Sequence, residues 1–181
     1  MDESAISVRY AKAVFNLGQE QNMLSLLKND MELISEACKQ SKEFNQLLSS
    51  PVIQVSKKIS LFRQIFSHSV IAVTMNLLEL LAKNKREIFL ESICRNVLAM
   101  IRKEKNIKTA VITTAKELDQ ENLRQIIKIL EKELGAEVEL TEKVNQKIIG
   151  GLILSIDDKQ YDASVATRIK KIRQELIQTS L

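Results

Sequence analysis

Side chains able to do chemistry are few in this chain, and they are scattered. His68, the single histidine, stands between Ser67 and Ser69. An imidazole can act as base or metal ligand, but this one has no titratable neighbour in sequence and reads as a surface or capping group. Cys38 and Cys94 are the only cysteines; they form no CxxC pair and have no histidine close by, so a zinc site has no support. Each falls in an apolar helical pattern, which predicts buried free thiols and fits a reducing compartment. Asp157, Asp158 and Asp162 lack calcium-loop spacing and read as a turn followed by a helix cap at Asp162 or Ser164. The pair Gly150-Gly151 is not followed by GK[ST] and precedes an apolar strand rather than a helix; its predicted role is close backbone approach or positive φ at a strand edge. With no nucleophile, acid–base pair or metal cluster, the expectation is a non-enzymatic protein without catalytic, metal or cofactor-binding residues.

Nucleic-acid binding is the rival reading. The net charge is +4, with 15 basic against 11 acidic residues in 1–105 and 12 against 12 in 106–181. A basic surplus on one half suits an acidic protein, anionic lipid or nucleic acid. Yet Tyr10, Phe15, Phe44, Phe62, Phe66, Phe89 and Tyr161 mostly fall at core spacing, not interleaved with Lys and Arg, and the cluster Lys83–Arg86 (KNKR) is a short interhelix link. An RNA-binding helical bundle is kept as the alternative.

The elements that must position these residues follow from composition and period. Only 4 Gly and 1 Pro occur in 181 residues, against 45% hydrophobic and 28% charged, which favours helix. Helices are predicted at Ser4–Gln21 (capped by Ser4), Met23–Lys39, Glu43–Leu48, Val55–Phe66, Val70–Ala82 and Ile88–Glu104, with Ser50-Pro51 marking a break. The period changes after Lys105. A β-branched strand at Lys108–Thr114 precedes an amphipathic helix, Ala115–Leu134, stopped by Gly135. Strands at Glu137–Thr141 and Ile148–Ile156 follow, then a turn, a short pairing strand beginning at Tyr161 and a last helix from Ser164 to about Gln178. The predicted fold is mostly α in two domains: a six-helix bundle over 1–105 and a small β-α-β-β-α domain over 106–181. The N-terminus carries no signal peptide pattern, and the richest apolar stretch, Val70–Ala82, is too short to span a bilayer.

The first and fifth helices are apolar on two faces, where one would serve a surface helix of a bundle. The first carries Ile6, Tyr10, Ala13, Val14 and Leu17 on one side and Val8, Ala11 and Phe15 on another. The fifth carries Val70, Val73, Leu77 and Leu81, and separately Ile71, Met75 and Leu78. Either they are central, or they form a groove for a partner's amphipathic helix. Val8, Tyr10, Ala11, Phe15, Ile71, Met75 and Leu78 are the groove candidates.

Several segments carry a family resemblance. Arg9–Phe15 (RYAKAVF) resembles the R-Y-A-x-A-hydrophobic opening of the delta subunit family of F-type ATP synthase, which includes the oligomycin-sensitivity-conferring protein. Ser50-Pro51-Val52-Ile53 with Lys57 and Lys58 is similar to its N-P-x-hydrophobic…K segment, with Ser50 in place of Asn. Leu77–Arg86 (LLELLAKNKR) resembles L-x-L-L-x-x-N-x-R, and Ala110–Leu118 (AVITTAKEL) resembles A-x-V-x-[ST]-A-x-x-L. Ile149, Gly150, Gly151, Asp162, Ser164 and Val165 resemble I-G-G…D-x-S-V. Val144–Ile148 (VNQKI) replaces a commoner D-P-x-L, and Ala163 stands where Gly is frequent. The resemblance spans nearly the whole chain. It implies a non-catalytic stator subunit resisting rotor torque during proton-driven ATP synthesis, peripheral at the cytoplasmic face of a bacterial inner membrane. It further implies a bundle that binds N-terminal helices of alpha subunits, one in a groove of the first and fifth helices, and a C-terminal domain that binds peripheral-stalk b subunits.

Overall fold

A computed structural model describes residues 3–146 and 148–170. The chain divides into two compact units, Met1–Glu104 and Lys105–Leu181, and is mostly helical with one small four-stranded sheet.

In the first unit the described helices are α1 (Glu3–Glu20), α2 (Leu24–Gln40), α3 (Lys42–Ser49), α4 (Val55–Phe66), α5 (Ala72–Lys83) and, after a 3-10 turn at Glu87–Phe89, α6 (Leu90–Glu104). Helix α1 is already helical at Glu3, so Ser4 lies inside it and not at its cap. Helix α5 begins at Ala72, two residues later than expected, because the buried Asp30 carboxylate of α2 accepts the Ile71 amide at 2.9 Å. That contact ends the preceding loop and sets a negative charge at the positive end of α5. Ser41 caps α3 by accepting the Phe44 amide at 3.0 Å, as N-cap serines do.

Helix α6 packs against α1 and α2, and α4 packs against α5. The core they enclose includes Leu27, Met31, Ile34, Phe62, Leu78, Leu81, Leu90, Ile93, Val97 and Ile101, all fully buried. Phe44 meets Phe62 and Phe66 edge-on, with centroids 6.2 and 5.7 Å apart, a favoured aromatic geometry. Besides Asp30, a charged pair lies inside. The Lys58 ammonium donates to Glu87 Oε1 and to the Leu48 carbonyl at 3.2 Å, tying α4 to the turn before α6.

The second unit carries β1 (Ile107–Thr114), α7 (Gln120–Leu134), β2 (Glu137–Val144), β3 (Leu152–Ile156) and β4 (Lys159–Asp162), with helical backbone at 165–170. The sheet order is β2-β1-β3-β4; β1 and β2 are parallel, and the other pairs are antiparallel. The order is therefore β-α-β-β-β-α; β4 is the short pairing strand expected at Tyr161, begun at Lys159, which the β-α-β-β-α order left uncounted.

Two boundaries are corrected. Residues 115–119 are not helical: Thr114 Oγ1 donates to the Lys116 carbonyl at 2.8 Å and the Leu118 amide donates to Glu142 Oε1 at 2.7 Å, so local bonds displace the first helical turn. The strand after β2 starts at Leu152, not Ile148, because Gly151 turns the backbone to φ +79°. Gly135 ends α7 at φ +58°, as expected, its amide donating to the Glu131 carbonyl. Of the predicted last helix, 171–178 lie outside the described residues.

Candidate partner-binding site

Helix α1 enters the core along a line of mostly small residues. Ser7, Ala11, Val14 and Gly18 are its buried face, and a Cβ on Gly18 would lie 2.8 Å from Leu27 Cδ2. Close approach through small residues leaves the large ones on the flanks, and the two flanks have different neighbours. Tyr10 and Gln19 are nine residues apart, about two and a half turns, so they lie on opposite sides. Tyr10 Oη accepts from Asn84 just beyond α5, whereas Gln19 donates to Glu104 at the end of α6 at 2.9 Å. Ile6, Ala13 and Leu17 share the side of Tyr10 by i+3, i+4 and i+7 spacing; Val8 and Phe15 share the side of Gln19.

The same reasoning orients α5. Val73, Leu77, Leu80 and Asn84 follow one face toward α1. Met75 shares its side with Glu79, which pairs with Arg63 of α4 at 2.6 Å. An apolar seam between α1 and α5 is thus lined by Ile6, Tyr10 and Leu17 on one side and Val73 and Leu80 on the other. Leu17 is 44% and Leu80 47% exposed.

Of the groove candidates, only Tyr10 lies on this seam. Ala11 and Leu78 are fully buried core residues. Val8 and Phe15 lie on the α6 side of α1, Met75 lies toward α4, and Ile71 precedes α5 and is held by Asp30. Amphipathic spacing showed two apolar faces on α1 without saying which is buried; the fold buries Ala11 and Leu78, leaves Tyr10, Phe15, Ile71 and Met75 half-buried, and exposes Val8. Leu17 and Leu80 were not among the groove candidates; the small-residue line Ser7, Ala11, Gly18 is the signal that marks the buried face of α1 and leaves Leu17 outside it.

At the end of the seam, two of the sequence motifs converge. Helix α5 stops in a Schellman arrangement: the Lys85 amide donates to the Ala82 carbonyl at 3.1 Å, the Arg86 amide to Leu81 at 2.8 Å, and Lys85 is left-handed at φ +55°. This reversal delivers Arg86 to Tyr10. Asn84 Nδ2 and Arg86 Nη1 both donate to Tyr10 Oη, at 3.0 and 3.1 Å, and the guanidinium carbon stands 5.7 Å from the ring centroid, within cation–π range.

In the second unit, Gly151 sits where a Cβ would be 2.4 Å from the Ala163 carbonyl oxygen; at Gly150 the nearest atom would be Val165 Cγ2, at 3.3 Å. The Val165 amide donates to the Gly150 carbonyl. Asp162 Oδ1 accepts the Ser164 amide at 2.8 Å, and Ser164 Oγ accepts the Thr167 amide at 3.3 Å. The four motif residues thus fasten the loop before β3 to the start of the following helix.

Elsewhere the chemical inventory is spare. His68 is exposed. Both cysteines are buried free thiols; burial, reinforced by the Glu91 charge, pushes Cys38 up to about 11, and Cys94 is raised further, also chiefly by burial. Among the described residues no His, Cys, Asp and Glu cluster fits a metal ion, and no helix is long and apolar enough to cross a membrane.

Comparison with known proteins supplies the family. Residues 6–176 match the family model described as ATP synthase delta (OSCP) subunit. The chain is 33% identical over 168 residues to ATP synthase subunit delta of Christiangramia forsetii, covering 93% of this chain and 91% of the relative. It is 33% identical over 178 residues to that of Alkalihalophilus pseudofirmus, covering 98% of each. A chain in the solved mitochondrial ATP synthase hexamer of Toxoplasma gondii superposes with a TM-score of 0.73 at 29% identity, covering 94% of this chain and 97% of that one. The RNA-binding alternative gains no support from these matches. The chain belongs to the ATP synthase delta (OSCP) subunit family.

Proposed function

We propose that the chain is a stator joint of F-type ATP synthase, holding the catalytic head still while the central shaft turns. Met1–Glu104 is the six-helix bundle of the family and grips the head by taking an amphipathic N-terminal helix of an alpha subunit along the α1–α5 seam. Lys105–Leu181 takes the C-terminal ends of the peripheral-stalk b subunits. The protein performs no catalysis and needs no cofactor; its work is to resist torque through two interfaces. The bacterial relatives support a place at the cytoplasmic face of the inner membrane, reached through the complex.

The observation that carries this reading is the seam itself, two apolar flanks whose leucines stay half exposed although the core beneath them is closed. A helix laid there would bury Leu17 and Leu80 as anchors. The test is titration of the full chain with a peptide copying the alpha-subunit N-terminal segment. Leu80→Asp is expected to weaken binding by more than ~1 kcal/mol, while Val8→Asp, on the opposite flank of α1, leaves it unchanged. Equal loss in both variants, or in neither, refutes the seam. Tight binding of an RNA oligomer that falls steeply with salt would favour the rival class instead.

A further inference from the structure

Arg86 has more binding capacity than the described residues use. A guanidinium offers five N–H donors in a planar fork; one donates to Tyr10 Oη, and no carboxylate among the described residues pairs with it. It is half-buried, and its position is fixed twice, by the Schellman reversal after α5 and by the Tyr10 hydroxyl and ring. Beside it Glu87 is buried against Lys58, and the exposed charges next to Arg86 and Tyr10 in sequence are cationic. Arg9 precedes Tyr10 on α1 and Lys85 precedes Arg86, both exposed; Lys83 reaches its own helix neighbour Glu79, at 3.9 Å. Farther along the same side of α1, three turns from Arg9, the exposed charge is Glu20. The seam is therefore cationic at its Tyr10 end and carries a carboxylate toward the other.

We propose that Arg86 receives an Asp or Glu side chain of the partner helix and so fixes the direction in which that helix lies along the seam. This rests on the seam being the helix-binding site. Apolar ridges alone accept a helix in either direction; a held guanidinium at one end does not, because a carboxylate there forms a charge-assisted pair while the reversed helix leaves Arg86 unmatched. Tyr10 is then a positioning residue. Its hydroxyl accepts two hydrogen bonds and holds the fork toward the seam, which accounts for why Tyr10, Asn84 and Arg86, drawn from two separate sequence motifs, meet at one oxygen.

The experiment is a double-mutant cycle on the full chain, with the alpha-subunit N-terminal peptide and copies in which each carboxylate in turn is replaced by the amide. Arg86→Gln is expected to lower affinity about tenfold at low salt. One amide copy should lose the same factor on the wild-type chain and nothing further on Arg86→Gln. Tyr10→Phe should give a smaller loss, with the coupling to that carboxylate reduced. If every amide copy weakens both chains equally, or none weakens the wild type, the pairing is overturned. Leu80→Asp separates the layers: if it removes binding while Arg86 proves uncoupled, the seam stands and its polarity does not, and if it leaves binding intact, the seam itself has failed. Should Arg86→Gln melt early, Arg86→Lys keeps the charge without the fork. It is expected to retain part of the coupling, and full retention overturns the role given to the fork.

Discussion

The two units hold themselves together by different means. In the first, α1 to α6 close over a core of large aliphatic side chains and Phe62, and its buried charges are held, Lys58 by Glu87 and Asp30 by the Ile71 amide, although Thr74 Oγ1 and Glu87 Oε2 are buried without a hydrogen-bond partner. In the second, the described core centres on Ala110, Leu130 and Val138, with Ile126, Leu140, Leu154 and Ile156 half-buried around it. These sheet residues share the face under α7. The register places Thr109, Val111, Thr113, Ile153 and Ser155 on the opposite face, where all five remain half-buried. With less buried volume, this unit depends more on backbone geometry at its turns: Asn106, Gly135, Gly151 and Asp157 sit at positive φ, against Asn22 and Lys85 among the described residues of the first. Volume and buried charge govern one unit, dihedral angles the other, and different substitutions should therefore break them.

The largest effect is expected at the buried pair. Lys58→Met leaves the Glu87 carboxylate inside the helical unit without its cation and should cost about 3–5 kcal/mol. Urea denaturation followed by helical circular dichroism measures it. The double variant Lys58→Met/Glu87→Leu should recover most of the loss, since apolar replacement of both partners is often near neutral. A single variant costing under ~1 kcal/mol would remove buried charge from the account of this unit.

Next in size is Gly151→Val. The added Cβ meets the Ala163 carbonyl at 2.4 Å in a backbone already at φ +79°, so two sources of strain combine and the second unit should lose about 2–4 kcal/mol. Gly150→Val meets only a side-chain methyl, at 3.3 Å, and should cost under ~1 kcal/mol. Thermal melts resolved by unit test the contrast; equal losses at the two glycines would sink the geometric explanation.

The contrast also explains what could be read before the coordinates. Helix α4 has the bounds its spacing predicts, and Gly135 stops α7 where expected, because propensity and end signals are local. The faces of α1 were not legible: Ser7, Ala11 and Gly18 are buried for their smallness, a property of the neighbouring helix surface. The start of α7 depends on Glu142, far along the chain, accepting the Leu118 amide. Arg86 was visible as the end of the LLELLAKNKR motif and within a basic link, not as a neighbour of Tyr10. Its meeting with Tyr10, 76 residues away, is a product of the fold. Gly151 was marked by its Gly-Gly context, yet which of the pair bore the strain required the backbone.

A smaller effect is expected at the Tyr10 hydroxyl. Tyr10→Phe keeps the ring and removes the acceptor for Asn84 and Arg86, both of which retain access to water. The helical unit should lose about 0.5–1.5 kcal/mol, measured by the shift in urea midpoint at unchanged slope. A loss as large as that at Lys58 would mean that this cluster, and not the core, governs the unit.

The smallest effect belongs to the thiols, and it too separates the units, because Cys38 and Cys94 both lie in the first. An unfolded cysteine ionises near pH ~8.5, whereas burial holds Cys38 up to about 11 in the folded chain. Between those values the unfolded chain has released a proton that the folded chain keeps. Fewer protons are then bound in the unfolded state, and stability falls as pH rises. Below about pH 8.5 both forms are protonated and the contribution is flat. Lysines titrate in the same alkaline range, so the informative quantity is a difference: the pH slope of the wild type minus that of Cys38→Ala. It should be negative for the first unit, steeper when Cys94→Ala is added to the comparison, and absent for the second. Thiol labelling gives an independent reading, since the native chain should react far more slowly than the chain in urea. A native Cys38 labelled as fast as the unfolded one, together with no difference in alkaline slope, would mean that this part of the α2–α6 packing opens readily, and the closed core described for the helical unit would have to be given up there.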